Sequence, residues 1–415
     1  MPEFSFDALR RHPDVEADNL FAADASDRLI LDEALGALEV EAKAAKAAAT
    51  TTTKAAATGA KTADGKTADG KTADGKTADV GRVVVIGDSY GALTLGAAAV
   101  LDLRSVRVHQ DSRAGELALA ENARRASDRD LGDRFENLPL GPELLAGARV
   151  VLMQLPRSLA ELDELAHAIA AWADPEVVVY AGGRLKHMTP AMNEVLERSF
   201  GRVTATLARQ KSRVLVASEP HPHAEPVAMR REFHAEPAPG LWVCATGGAF
   251  AGTKIDIGTR FLLEHLGEMR ADARTAVDLG CGTGVLSAYL ARARPELTVF
   301  ATDQSAAAVE SARATMAAND VENVEVVRDD ALSTLDDGSA ELVLLNPPFH
   351  QGSTVHAGIA LKLFQAAGRV LAPGGELWTV FNSHLSYRAA LQRAVGETRQ
   401  VARNAKFTVM VSTKR

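Results

Sequence analysis

Asn346-Pro347-Pro348-Phe349 places a carboxamide, two prolines and an aromatic ring in succession, after the apolar run Glu341-Leu342-Val343-Leu344-Leu345. Two adjacent prolines fix φ twice and supply no backbone N–H, so the turn presents bare carbonyls beside the Asn346 side chain. A carboxamide oxygen and a carbonyl are two acceptors for the two hydrogens of a planar amino group, and the ring is a surface to stack on. A strand-to-loop turn without chemistry is the alternative, and the residues upstream weigh against it.

Asp278 to Gly284 reads D-x-G-x-G-x-G. Gly280, Gly282 and Gly284 let the backbone turn tightly and approach a ligand without side-chain clash. A dinucleotide site wants G-x-G-x-x-G with pyrophosphate at the helix N-terminus. Here the spacing is shorter and an acid, which would repel phosphate, precedes it. That acid suits a ligand bearing an ammonium group. Asp303, about 20 residues beyond the loop, ends the next apolar segment and is placed to accept from both ribose hydroxyls. Asp330 ends the one after and can accept from an adenine amino group. Ammonium, ribose and adenine without phosphate describe S-adenosylmethionine. Asp278, Gly280, Gly282, Gly284, Asp303, Asp330 and Asn346 are therefore the candidate cofactor residues. Asn346, Pro347, Pro348 and Phe349 are the candidate catalytic ones.

Positioning them takes strands that end together. Ala276–Leu279, Leu297–Asp303, Val324–Asp330, Glu341–Leu345 and Glu376–Phe381 read as strands, Val285–Ala293, Ser305–Asn319 and Ala360–Leu371 as helices between them, and Phe407–Val411 as the strand that closes the sheet. The last of those helices is expected to stop at Pro373-Gly374-Gly375. The same rhythm runs earlier, through Arg82–Ile86, Val106–His109, Arg149–Met153 and Val177–Gly183, with Gly87-Asp88-Ser89-Tyr90-Gly91 as a turn holding only two glycines. Alternating strands and helices predict mostly parallel sheets covered on both faces. A Pro/His-rich stretch from Glu219 to His223, and again Pro237–Gly240, marks a boundary. The expected domains are 1–238 and 239–415. His221, His223 and His234 read as linker rather than metal ligands, because prolines interleave them and no scaffold fixes them.

The chain has 415 residues, 47% apolar and 24% charged, which suits two or three globular domains. No run approaches the roughly 18 apolar residues that cross a membrane. The N-terminus, Met1-Pro2-Glu3-Phe4, lacks the pattern of a signal peptide. Two cysteines, Cys244 and Cys281, make neither a disulfide framework nor a CxxC pair, so a metal-free cytoplasmic protein is expected. The net charge of −8 speaks weakly against nucleic acid, but nine basic residues face four acidic ones between Tyr180 and Arg231. Residues 41–79 are rich in Ala, Lys and Thr and end in four copies of Lys-Thr-Ala-Asp. They read as a low-complexity, disordered insertion.

Asp278 to Phe349 resembles the class I S-adenosylmethionine-dependent methyltransferases. The string Asn346-Pro-Pro-Phe-His-Gln-Gly352 resembles the RlmG/RsmC family of ribosomal RNA guanine-N2 methyltransferases. Phe250 to Gly258 is similar to their shared lead-in, which adds Lys254 and Asp256 as accessory candidates. Asn382 to Tyr387 and Asn404 to Phe407 resemble RlmG more than RsmC. The resemblance implies two tandem Rossmann-like α/β domains, the N-terminal one a degenerate copy without a cofactor site. It implies methylation of the exocyclic N2 of a guanine in ribosomal RNA, 23S before 16S, free or in a subunit or assembly intermediate. Phe349 would then be the platform for an unstacked base. Arg209, Lys211 and Arg213 are the candidate RNA contacts. Adenine-N6 or protein-glutamine methylation, and an inactive RNA-binding scaffold, stay open as alternatives.

Overall fold

The computed structural model describes residues 4–58, 82–103, 105–126, 131–222, 224–348 and 354–415. It divides into two compact units. The first comprises Met1–Arg10, Phe21–Gln110 and Ala118–Val227, the second Arg11–Leu20, Asp111–Leu117 and Ala228–Arg415. The second unit thus contains two short stretches from well ahead of residue 238.

In chain order the elements as far as Pro220 are α1 (Ala25–Thr58), β1 (Val83–Ile86), α2 (Ala92–Leu101), β2 (Val106–His109), α3 (Arg113–Arg125), β3 (Phe135–Asn137), α4 (Pro142–Leu145), β4 (Val150–Gln154), α5 (Leu159–Trp172), β5 (Val178–Arg184), α6 (Ala191–Glu197), β6 (Phe200–Ala205) and β7 (Ser212–Pro220). Their sheet has the order β3-β2-β1-β4-β5-β7-β6. It is parallel as far as β5, and β7 runs antiparallel to both β5 and β6.

The remaining elements are β8 (Arg230–His234), β9 (Leu241–Ala245), α7 (Ile257–Leu263), β10 (Thr275–Leu279), α8 (Val285–Ala293), β11 (Thr298–Asp303), α9 (Ala306–Ala318), β12 (Val324–Arg328), β13 (Ala340–Leu345), α10 (Thr354–Val370), β14 (Leu371–Asn382), α11 (Arg388–Ala394), β15 (Gly396–Arg403) and β16 (Phe407–Lys414). Their large sheet has the order β12-β11-β10-β13-β14-β16-β15. Numbered within itself, each sheet reads 3-2-1-4-5-7-6, so the chain carries the same fold twice. In each, the order reverses between the first and fourth strands, the switch point where open α/β sheets bind ligands. The two registers match there. Ile86 faces Met153 and Leu279 faces Leu345, so Gln154 stands in the first sheet where Asn346 stands in the second.

The central strands are apolar throughout because both faces are covered. Leu342 and Leu344 of β13 join a core with Trp378 and Val409 on one face. Val343 and Leu345 join Phe364 and Phe381 on the other. All four β13 residues are buried. At about 1.5–3 kcal/mol for each large apolar side chain, they fix the strand end from which Asn346 projects.

Three local expectations change. The disordered insertion expected from residue 41 is helical as far as Thr58, in α1. Alanine and lysine are strong helix formers, and Glu41 and Ala42 are buried. The Lys-Thr-Ala-Asp repeat itself lies outside the described residues. Pro373-Gly374-Gly375 does not end a helix ahead of a strand but lies inside β14, where the pairing with β13 shifts register. The stretch read as linker holds an antiparallel ribbon, β8–β9, whose second strand hydrogen-bonds α9: Cys244 N donates to Thr315 Oγ1 at 3.0 Å and Thr246 N to Ser311 Oγ at 3.1 Å. A ring nitrogen of His221 lies 3.0 Å from the Arg198 carbonyl oxygen and one of His234 lies 2.7 Å from that of Thr253, while His223 is outside the described residues.

Candidate active site

A cleft of about 490 Å³ opens at the carboxyl ends of β10 to β13 in the second unit. Gly280, Gly282, Asp303, Asp330, Asn346, Pro347 and Pro348 all line it, with Lys254 and Asp256 from the lead-in. Gly280, Asp303, Asp330 and Pro348, far apart in sequence, converge because four neighbouring parallel strands end together.

The glycine loop is left-handed at each glycine, with φ of 75°, 54° and 79° at Gly280, Gly282 and Gly284. A Cβ on Gly284 would lie 2.7 Å from Met316 Cε and 3.1 Å from Ala312 Cβ, so a side chain there would drive the loop off α9. Asp278 does not line the cleft. A strand side chain stands perpendicular to its sheet, and Asp278 reaches the first turn of α8 rather than the sheet's edge. Its Oδ2 accepts from Ser287 N at 3.0 Å and Ser287 Oγ at 2.6 Å. Its Oδ1 is buried and unpartnered among the described residues. Burial pushes its carboxyl up to about 6, against the opposing pull of Ser287.

Asp303 is half-buried in the cleft wall. Oδ2 accepts from Gly282 N at 3.0 Å and Oδ1 from Ser305 N at 2.9 Å, which ties the acid to the loop. Burial raises its carboxyl above the usual range while these N–H groups oppose the rise. The turn behind Asp303 is braced by a stretch that sequence reading missed. Asp111 Oδ1 accepts from Ser305 Oγ and from Ala307 N, both at 2.9 Å, and Asp111, Ser112 and Ala114 line the cleft. No local pattern ties residue 111 to residue 305, so only the tertiary fold reveals it. Asp330 Oδ2 accepts from Lys362 Nζ of α10 at 2.6 Å, and that ammonium also donates to the Pro13 carbonyl at 3.1 Å. Neighbouring Asp329 is buried and turned to Ser333 and Thr334, so of the two acids Asp330 has the freer carboxylate.

Asn346 is held by its amide nitrogen. Nδ2 donates to Asp256 Oδ2 at 3.2 Å and to Thr259 Oγ1 at 3.0 Å. Asp256 in turn caps α7, accepting from Gly258 N and Thr259 N. A carboxylate accepts only, so the NH₂ group must face Asp256 and the oxygen must face away. That oxygen, Oδ1, is buried and has no partner among the described residues. A buried acceptor left open costs about 1–3 kcal/mol, which makes it a marker of function. Gly258 leaves room for it, since a Cβ there would lie 3.4 Å from Oδ1 and 3.0 Å from Asp256 Oδ2. Asn382 and Phe407, paired across β14 and β16, complete this side of the cleft. The expected platform, Phe349, lies outside the described residues. Phe250 is 67% exposed and lines the cleft from the lead-in.

The candidate RNA contacts lie in the first unit, on and beside the β6–β7 hairpin. Arg209 is bridged to Asp32 at 3.4 Å and Glu33 at 3.1 Å, Lys211 is exposed, and Arg213 is half-buried. The cofactor loop of that unit keeps its backbone, with φ of 75°, 59° and 96° at Gly87, Ser89 and Gly91. Asp88 is buried and accepts from Leu93 N and Thr94 N, capping α2 as Asp278 caps α8.

Two family models match. The methyltransferase small domain covers residues 240–411 and the RLMG N-terminal domain residues 69–222. The ribosomal RNA large subunit methyltransferase G of Streptomyces avermitilis is 36% identical over 341 residues, which is 81% of this chain and 88% of that one. That of Pseudomonas aeruginosa strain UCBPP-PA14 is 37% identical over 339 residues, 80% of this chain and 87% of that one. Among solved structures, the Thermus thermophilus 16S rRNA N2 G1207 methyltransferase RsmC, in complex with AdoMet and guanosine, superposes with a TM-score of 0.66 at 21% identity, covering 80% of this chain and 88% of that one. That likeness bears out the expected fold, two methyltransferase-like α/β domains in tandem. The chain belongs to the ribosomal RNA large subunit methyltransferase G family.

Proposed function

We propose that this protein transfers a methyl group from S-adenosylmethionine to the exocyclic N2 of a guanine in 23S ribosomal RNA. The observation that carries the reading is the buried, unpartnered Oδ1 of Asn346, a cleft-lining residue whose amide is fixed by Asp256 and Thr259. The names of the relatives support the large subunit as the source of the RNA. The AdoMet and guanosine bound by the T. thermophilus enzyme support the cofactor and the acceptor base.

The residues fit the cofactor. A Cβ at Gly280 or Gly282 would meet nothing within 4 Å, so the loop would admit the cofactor against its backbone, where Asp303 would hold the ribose hydroxyls and Asp330 the adenine amino group. Asp278, buried outside the cleft lining, would act on the ammonium group only through its charge, not by contact. When bound, the cofactor supplies an electrophilic methyl carbon on a cationic sulfur. The chain's task is to position and polarise the amine.

A guanine 2-amino nitrogen is a weak nucleophile because its lone pair is delocalised into the ring. Asn346 Oδ1 and the Pro347 carbonyl accept its two hydrogens, favouring a pyramidal nitrogen whose lone pair points out of the ring plane. Neither group is a base. The amine becomes acidic only as the new N–C bond forms and the methyl–sulfur bond breaks, so its proton passes to solvent afterwards. Orientation and preorganised acceptors therefore supply most of the acceleration. The base must leave its stack to reach this cleft, with Phe349 as the platform. The substrate is 23S RNA, free or within the ribosomal subunit or an assembly intermediate, met in the cytoplasm.

Transfer of label from S-adenosylmethionine to separated 23S and 16S RNA, naked and in subunits, with identification of the product nucleoside, tests this. N2-methylguanosine in 23S RNA is expected. The same product in 16S RNA would move the target. N6-methyladenosine or methylglutamine would overturn the acceptor, and cofactor binding without transfer would leave a scaffold.

A further inference from the structure

A second asparagine ends a strand beside Asn346. Asn382 closes β14, the parallel neighbour of β13, and lines the same cleft. Leu345 stands beside Thr379, so Asn346 falls beside Val380 and Asn382 comes two residues further along. Successive side chains of a strand alternate between faces. Leu344 and Val380 both join the core that holds Trp378 and Val409, so Asn346 and Asn382, each two residues on, emerge on that same face. Neighbouring strands lie about 4.8 Å apart and two residues rise about 6.6 Å, which sets the two backbones about 8 Å from one another. Phe407 joins them. It is paired directly with Asn382 across β14 and β16, and a Cβ on Gly258 would lie 3.3 Å from its Cε1 and 3.4 Å from Asn346 Oδ1.

The backbone around Asn382 is fixed. Leu385 N donates to the Asn382 carbonyl at 2.9 Å and Ser383 N to the Lys406 carbonyl at 2.8 Å. The next polar side chain is engaged too, since Ser383 Oγ lies 2.9 Å from Thr408 Oγ1 and 3.2 Å from the Asn404 carbonyl oxygen. The Asn382 carboxamide differs. It is half-buried and has no hydrogen bond among the described residues. Its oxygen accepts and its NH₂ donates, so a rigid strand end offers the cleft both functions on one planar group.

In the proposed reaction, Asn346 Oδ1 and the Pro347 carbonyl take the two hydrogens of guanine N2. The rest of that edge of the base is N1–H, a donor, beside O6, an acceptor. A carboxamide complements this pair with two parallel hydrogen bonds, whereas a carboxylate or an ammonium group matches only one of them. We propose that Asn382 is a specificity-determining residue, whose Oδ1 accepts from N1–H and whose Nδ2 donates to O6 of the target guanine while Asn346 holds the 2-amino group. The inference rests on the guanine-N2 reading and deepens it. Two asparagines on adjacent strand ends then divide one base edge, Asn346 orienting the nucleophile and Asn382 identifying the ring that carries it.

The test uses the full chain as wild type, Asn382→Ala and Asn382→Ser. The substrate is ribosomal RNA assembled by ligation with either guanine or 2-aminopurine at the position that the wild type methylates. 2-Aminopurine keeps the 2-amino group and lacks both N1–H and O6. Transfer of label gives kcat/KM on each base, and calorimetry gives cofactor affinity. The intrinsic reactivities of the two bases cancel when the preference for guanine is compared between wild type and variant. A bidentate contact to a base edge discriminates about 10- to 100-fold. Asn382→Ala should therefore lower kcat/KM on guanine by about that factor. On 2-aminopurine the loss should be no more than about fivefold, the worth of the one hydrogen bond its N1 can accept. The preference for guanine shrinks accordingly, and cofactor affinity stays within about threefold. If the wild type methylates guanine and the preference is unchanged in the variant, whether both bases slow together or neither does, Asn382 does not read the edge and the proposed function stands. A tenfold loss of cofactor affinity in a folded variant would assign Asn382 to the cofactor and overturn the inference. If the wild type methylates no guanine in any RNA, both readings fall. Asn382→Ser, whose hydroxyl cannot engage two base atoms in parallel, decides the matter should the alanine variant fail to fold.

Discussion

Replacing Asn346 with alanine removes an acceptor that the structure leaves unused and two donors that it uses. The donors are Nδ2 to Asp256 and to Thr259, at 3.2 and 3.0 Å. Their loss costs about 1 kcal/mol each at most, since Asp256 keeps its hydrogen bonds from Gly258 N and Thr259 N. The unit should therefore fold. The acceptor matters differently, because the nitrogen it faces gains positive charge as the new bond forms. A hydrogen bond to a charged partner contributes about 1.5–3 kcal/mol, and deleting one preorganised polar group from such a site costs about 2.7–4 kcal/mol. At 1.36 kcal/mol per tenfold, Asn346→Ala should lower kcat by about 10²- to 10³-fold. Cofactor affinity should change by no more than about threefold, as the carboxylates and glycines that hold it are untouched. Single-turnover transfer of label to 23S RNA, read beside calorimetric cofactor binding, gives both numbers. A variant whose kcat stays within threefold of wild type would show that the carboxamide does not orient the amine.

Three further outcomes follow from the same geometry. Asp303→Asn replaces a charged acceptor that is tied to Gly282 N with a neutral one, and should weaken cofactor binding about 10- to 100-fold in calorimetry, from the 1.5–3 kcal/mol of a charged hydrogen bond, with little change in kcat at saturation. Gly258→Ala puts a Cβ 3.0 Å from Asp256 Oδ2 and 3.4 Å from Asn346 Oδ1; the small displacement should lower kcat roughly tenfold while cofactor affinity holds, and equal loss of both would contradict it. Asp278 has a folded carboxyl value of about 6 against an ordinary 3.8, so the folded state holds the proton more tightly and stability falls as pH rises from 3.8 through 6. The loss is about 3 kcal/mol at 1.36 kcal/mol per pH unit. Relative to Asp278→Asn, the wild type without cofactor should lose that amount between pH 4 and pH 7 in denaturant titrations, and a pH-independent difference would refute it.

The parallel part of both sheets was legible because its strands are short apolar runs that end in Gly, Asp or Asn, and those endings are also the site. Asp303, Asp330 and Asn346 could be named from sequence for that reason. Asp278 was read as part of the ligand surface because sequence shows that an acid precedes the loop but not which way it points; its face of β10 sends it to Ser287. Asn382 and Phe407 were not paired in advance. Their meeting depends on β16 inserting antiparallel between β14 and β15, and β15 is too polar to announce itself. Thr259, Gly258 and Asp111 were missed because each acts through tertiary contacts that no local pattern announces. The N-cap Asp256, at the start of an apolar segment, was the available signal for the first two.

The first unit shows why a shared fold need not share chemistry. Gln154 stands where Asn346 stands, and its amide also reaches the N-terminus of a helix, with Nε2 2.5 Å from Asp27 Oδ1. But the longer side chain brings the whole amide onto α1. Ser26 Oγ, whose single proton also faces Asp24 Oδ1 at 2.5 Å, lies 3.3 Å from both Oε1 and Nε2, so the oxygen that is unpartnered in Asn346 has a hydroxyl beside it here. The space is closed as well, since a Cβ on Gly182 would lie 2.3 Å from Ile30 Cγ1 of that helix. Asp27, buried beside Asp24 and Asp88, is pushed up to about 7, chiefly by desolvation, as befits a carboxyl sealed into a core rather than facing a ligand. The same device, an amide clamped to a helix cap, serves in one unit as a staple and in the other as half of a staple. At this strand end the two units differ in one unsatisfied oxygen, and under the proposed function an arriving amino group would fill it.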